Sequence, residues 1–78
     1  MPRIKDIPGP YWVFFYSFDC NEPIHVHVRR KKWTCKFWLD PIQLSANHGF
    51  TARELNVIRR LIELYYDTII DAWHEHCG

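Results

Sequence analysis

The sequence predicts an α+β domain: a three-stranded antiparallel sheet, with room for a short fourth strand, packed on one face by one long C-terminal helix. Three patterns predict it. Residues 24–29 alternate β-branched with polar side chains, which is strand periodicity. Residues 55–73 repeat their apolar side chains at about 100° per residue, which is helix periodicity. Clusters of Asp, Asn, Pro and Gly fall between these runs, where turns belong.

Seventy-eight residues make one domain, 1–78. At 47% hydrophobic and 17% aromatic, the chain can build a dense core and is not a disordered segment. A formal charge of +1 excludes nucleic-acid binding driven by bulk charge, while leaving room for a local basic patch. Cys20, Cys35 and Cys77 form no metal-knuckle spacing, and their odd number does not suggest a disulfide framework, so reduced thiols are expected. With no signal-peptide pattern and no apolar run of bilayer length, the expectation is a cytoplasmic protein without a membrane partner. No cofactor is expected.

Residues 1–10 hold three prolines and a glycine and read as an extended lead-in, with Arg3, Lys5 and Asp6 giving it a polar surface. The antiparallel strands occupy 11–40. Tyr11 to Phe18 is aromatic and β-branched throughout, with Trp12, Phe14, Tyr16 and Phe18 on one face and Tyr11, Val13, Phe15 and Ser17 on the other. Neither face is polar enough to be fully wet, so this strand should be central or covered by another protomer. Asp19 to Pro23 is a turn by composition.

The next strand turns Ile24, Val26 and Val28 to one side and His25, His27 and Arg29 to the other. A third strand, Trp33 to Asp40, places Cys35, Phe37 and Leu39 opposite Thr34, Lys36 and Trp38. Pairing Val28 with Cys35, Val26 with Phe37 and His27 with Lys36 brings the apolar sets to one side, as a half-buried hairpin requires. Lys31-Lys32 is poor chemistry for a two-residue turn, which favours Asn or Gly, so a four-residue loop from Arg30 to Trp33 is preferred. Ile42 to Gly49 reads as a short edge strand or an irregular crossover, with His48-Gly49 suited to a turn.

Thr51 and Glu54 fit a capping box, and Phe50 with Leu55 fits its hydrophobic staple. The helix then runs over 51–75 without Gly or Pro. Leu55, Ile58, Leu61, Ile62, Tyr65, Tyr66, Ile69, Ile70, Ala72 and Trp73 gather on its apolar side, and Asn56, Arg60, Glu63, Asp67 and Asp71 lie opposite. Val57 and Leu64 interrupt the polar side, either as stray surface residues or as a second packing seam.

Residues 1–28, 35–40, 48–63 and 71–76 resemble the bacterial family known as domain of unknown function 4160. The resemblance covers essentially the whole chain. It rests on the opening Pro2-Arg3-Ile4 with its aromatic strand, the box Glu22-Pro23-Ile24-His25-Val26-His27-Val28, and the helix start Gly49-Phe50-Thr51-Ala52-Arg53-Glu54-Leu55. Ile24 stands where a second proline is usual in the box. The resemblance implies a small prokaryotic protein that works beside a short partner as a toxin–antitoxin module, and it implies no established activity.

The chemistry-bearing candidates are His25, His27, Arg29, Lys36 and Trp38, neighbours on one sheet face expected to be open. Imidazoles can act as acid and base, Arg29 and Lys36 can stabilise a phosphorane, and Trp38 can stack a base, as a metal-independent endoribonuclease would need. Glu22 is either an orienting acceptor for an imidazole or an exposed turn residue. His25 and His27 could also hold a metal, with Asp19, Glu22 or His48 completing the set. The tail Trp73-His74-Glu75-His76-Cys77 is read as structural, because His74 and His76 diverge around a helix.

The leading expectation is therefore a toxin–antitoxin-type module that binds or cleaves RNA on this face, with a small protein partner or a second copy of itself. The alternatives are a non-enzymatic interaction or regulatory domain, and a metal-binding protein through His25 and His27. A solvated face without a ligand accounts for the same residues, and the sequence leaves open whether any reaction is catalysed.

Overall fold

The computed structural model describes residues 3–4 and 7–78. Lys5 and Asp6, expected in the polar lead-in, and Met1 and Pro2 lie outside the described residues. The chain is α+β, with one antiparallel sheet in the order β1-β2-β3-β4 followed by two helices. The strands are β1 (Trp12–Phe14), β2 (His25–Arg30), β3 (Trp33–Leu39) and β4 (Ile42–His48), and the helices are α1 (Ala52–Leu64) and α2 (Tyr66–Cys77). A 3-10 turn, Asp19–Asn21, lies between β1 and β2.

The central hairpin has the expected register, with His25 opposite Trp38, Val26 opposite Phe37, His27 opposite Lys36, Val28 opposite Cys35 and Arg29 opposite Thr34. Its loop is the two-residue Lys31-Lys32, not the four-residue one expected. Lys31 adopts φ 55°, the left-handed conformation that favours Gly or Asn. The Arg29 side chain donates its Nε–H to the Lys31 carbonyl at 2.9 Å and ties this turn back to β2.

The aromatic strand is shorter than expected and lies at an edge, not in the centre. Asp19 ends it. Its Oδ2 accepts the Tyr16 N–H at 2.7 Å, and its own N–H bonds the Tyr16 carbonyl at 3.1 Å. This local side-chain bond competes with strand pairing and folds the chain back beyond Phe14. The alternation still sorts the side chains: Tyr11, Val13 and Phe15 enter the core. The lead-in partly closes the edge through a bridge from Arg3 to Phe14 and a bond from Ile4 N–H to the Val13 carbonyl.

Residues 42–48 resolve into a full seven-residue fourth strand, paired along β3 with one register shift at Lys36/Phe37. It ends at Gly49 (φ +106°), where a β-carbon would run into the Trp33 ring.

The ten residues assigned to the helix's apolar side all join or pack against the core, which contains Val26, Val28, Phe37 and Leu39 from the sheet. The five assigned to the polar side are exposed, as are Val57 and Leu64. The single long helix is a pair, interrupted at Tyr65. There the Tyr66 hydroxyl donates to the Leu39 carbonyl at 2.7 Å, anchoring the start of α2 to the end of β3. The helix start follows half of the expected box: Thr51 Oγ1 accepts the Glu54 N–H, while the Glu54 carboxylate turns to Arg30 at 3.3 Å.

Two cysteines are not reduced thiols. Cys20 and Cys77 form a disulfide with Cα atoms 5.5 Å apart, joining the 3-10 turn to the last residue of α2. Cys35 is the buried free thiol, which burial pushes up to about 12. No helix of the described residues is long and apolar enough to cross a membrane.

Candidate functional site

Strand alternation puts His25, His27 and Arg29 on one face, and the hairpin register sets Trp38, Lys36 and Thr34 beside them. The predicted row is therefore contiguous, but it is not open. His25 is fully buried, packed near-perpendicular to Trp38 at 5.6 Å and inclined at 63° to Trp73 of α2 at 5.3 Å. His27 keeps 16% of its side chain exposed, stacked on Phe14 at 5.5 Å and edge-on to Tyr16 at 4.7 Å. Arg29 is exposed.

The expected site changes because the 15–22 segment folds over this end of the sheet. Phe15 meets Trp73 at 5.2 Å and stacks on His76 at 5.8 Å, and the Cys20–Cys77 bridge fastens the same segment to α2. Asp19, 2% exposed, is brought beneath both imidazoles: its Oδ2 lies 3.2 Å from His25 Nε2 and 3.1 Å from His27 Nε2. His27 donates a hydrogen bond to this oxygen. Burial holds the His27 imidazole below the ordinary histidine range, with the Asp19 carboxylate pulling the other way.

The carboxylate beside the imidazoles is thus Asp19 and not Glu22. Glu22 reaches the other side of the row, where it accepts from Lys36 Nζ at 2.6 Å. That hydrogen bond draws the Glu22 carboxyl below its usual range. Lys36 also sits over the Trp38 ring at 4.4 Å. Within Asp19-Cys20-Asn21-Glu22-Pro23 the sequence offers two carboxylates, and no spacing rule distinguishes the one that turns inward. The 3-10 turn does so.

Among the described residues, two groups of side chains could hold a metal. Asp19, His25 and His27 bring one ligand atom each to within 4.8 Å of one another. Cys20, His76 and Cys77 do the same, but their sulfurs are joined to each other. In the tail, His74 is exposed while His76 turns inward, its Nε2 3.2 Å from the Tyr16 carbonyl. His48, opposite Thr34 on β4, is not part of the Asp19 group.

Beyond the imidazoles the face becomes aromatic and cationic. Trp12, Tyr16 and Phe18 are 46%, 37% and 66% exposed. Arg3 lies over Trp12 at 4.1 Å, and Tyr16 stacks on Phe18 at 5.4 Å.

The sequence profile described as "Domain of unknown function (DUF4160)" matches residues 11–74. The chain belongs to that family. In this DUF4160 domain the matched span contains all four strands, the Asp19 turn and both imidazoles. No curated protein and no solved structure matches the chain.

Proposed function

We propose that the protein is a small RNA-binding module of toxin–antitoxin type that takes single-stranded RNA on its aromatic and cationic face. The supporting observation is the exposure of three aromatic rings, Trp12, Tyr16 and Phe18, beside the Arg3, Arg29 and Lys36 cations. Bases stack on such rings without sequence reading, while cations follow the phosphates. Cleavage by a histidine pair draws no support from this arrangement, because His25 is sealed from any substrate and His27 alone reaches the surface. Action in the cytoplasm would expose the Cys20–Cys77 bridge to reducing conditions.

The test is fluorescence anisotropy with a labelled twelve-nucleotide uridine RNA at low salt. Trp12→Ala and Phe18→Ala should each weaken binding roughly five- to 150-fold, corresponding to about 1–3 kcal/mol per stacked base. Absence of binding at tens of micromolar, or affinity unchanged in both variants, would remove the proposal.

A second reading, a protein-interaction domain covered at this face by a short partner, is favoured by the Lys36–Glu22 pair, which neutralises one of the cations that RNA would need. Under that reading the same variants weaken partner binding and leave no RNA effect to measure.

A further inference from the structure

Asp19, His25 and His27 form a group that RNA binding does not use. Three elements of the fold build it. Period-two alternation aligns the imidazoles on β2, the 3-10 turn aims Asp19 at them, and the Tyr16 N–H holds Asp19 Oδ2 at 2.7 Å. This last bond fixes the carboxylate from behind, as outer-shell partners fix the ligands of metal centres.

The decisive atom is His25 Nε2. On the other side of the ring, Nδ1 lies 2.8 Å from the Pro23 carbonyl. A carbonyl can only accept, so Nδ1 carries a proton, and the Nδ1–H tautomer of the ring leaves Nε2 as a lone pair able to ligate a cation. That atom is fully buried and has no hydrogen-bond partner among the described residues, yet it lies 3.2 Å from Asp19 Oδ2. Two acceptors this close out of water repel, and a buried polar atom without a partner costs about 1–3 kcal/mol. A cation between them removes both penalties. His27 Nε2, 3.1 Å from the same oxygen, supplies a third ligand atom when the cation displaces its proton and the ring takes the Nδ1–H tautomer.

We propose that Asp19, His25 and His27 bind one divalent first-row transition ion through Oδ2 and the two Nε2 atoms. Two imidazoles and one carboxylate suit Zn²⁺, Fe²⁺, Co²⁺ or Ni²⁺, and not the all-oxygen preference of Mg²⁺ or Ca²⁺. Ligands about 2.0–2.2 Å from a tetrahedral ion lie roughly 3.3–3.5 Å apart. The observed separations of 3.1 and 3.2 Å fall a few tenths short of that, a gap small side-chain rotations can close. Three protein ligands leave a fourth position for water.

The test uses tag-free, full-length protein purified without reductant. A thiol count of one in denaturant, with peptide mapping placing the free thiol at Cys35, shows that Cys20 and Cys77 are joined, so the tail sulfurs cannot act as thiolate ligands. Calorimetric titration with Zn²⁺, and Co²⁺ followed by its visible d–d absorption, should then give about one equivalent bound. Asp19→Asn and His27→Gln, each checked for folding by circular dichroism, should weaken binding at least about tenfold. His25→Gln is the riskier variant because the ring is buried, and the other two suffice without it. Uptake below about a tenth of an equivalent would mean that a proton bridges Asp19 and His25, and would overturn the proposal. Full uptake by both folded variants would overturn it equally. Neither result bears on RNA binding, which uses other residues.

Discussion

The two faces of the β2–β3 hairpin are made from the same thirteen strand residues, yet they are enclosed by different means. On one face, Val26, Val28, Cys35, Phe37 and Leu39 meet Ile58 and Ile62 of α1 in a core that is apolar throughout. On the other, His25 is equally buried, but by a turn, a distant tryptophan and a carboxylate. The first face is closed by the hydrophobic effect, which acts wherever apolar area can be removed from water. The second is closed by aromatic rings together with the directional polar contacts of the Asp19 turn, and those directions must be supplied by a specific backbone geometry. Alternation therefore determines which side chains share a face, but not whether that face is wet.

Perturbing each face should expose this difference, and the largest effect belongs to the apolar one. Ile62→Ala, at a fully buried position, should cost about 2–5 kcal/mol in urea unfolding, from lost transfer energy and a residual cavity. A cost below about 1 kcal/mol would mean that α1 is not the principal cover of the sheet. Asp19→Ala tests the polar face and should cost about 1–3 kcal/mol, since it strands the Tyr16 N–H and the His27 donor. Its second signature is local: amide exchange should quicken in residues 15–22 while β2 and β3 stay protected. Uniform acceleration across the sheet would show that the two faces do not open separately.

The smallest effect lies at the rim. Glu22 has its folded pKa lowered by Lys36, so the unfolded chain holds the proton more tightly. The pair's contribution is thus present above the ordinary glutamate range and is lost as pH falls through the lowered folded value. Lys36→Met should return the Glu22 carboxyl to that ordinary range in an NMR titration. An unmoved midpoint would assign the shift to another group.

Much of the fold was legible because it follows from local period. The hairpin register and the ten apolar helix positions come directly from spacing, and the Thr51 cap comes from one hydroxyl at the right place. The remaining features depend on groups far apart in the chain. Trp73 reaches His25, Cys77 reaches Cys20, and the interruption at Tyr65 coincides with a hydroxyl finding the Leu39 carbonyl, with no Gly or Pro to mark it. β1 is shorter than its alternation predicts for a related reason. Its pattern continues to Phe18, but Asp19 captures the Tyr16 amide and stops the pairing. For the site, the strand disclosed which imidazoles stand together, and only the folded turn disclosed which acid faces them.

The Cys20–Cys77 linkage makes most of the chain a covalent ring. A protease that cuts one peptide bond between those residues therefore releases no fragment. The nicked molecule would migrate as a single species on a denaturing gel until a reductant is added, when it would separate into two pieces. Limited digestion compared with and without reductant would thus map exposed loops in a protein that otherwise keeps its mass.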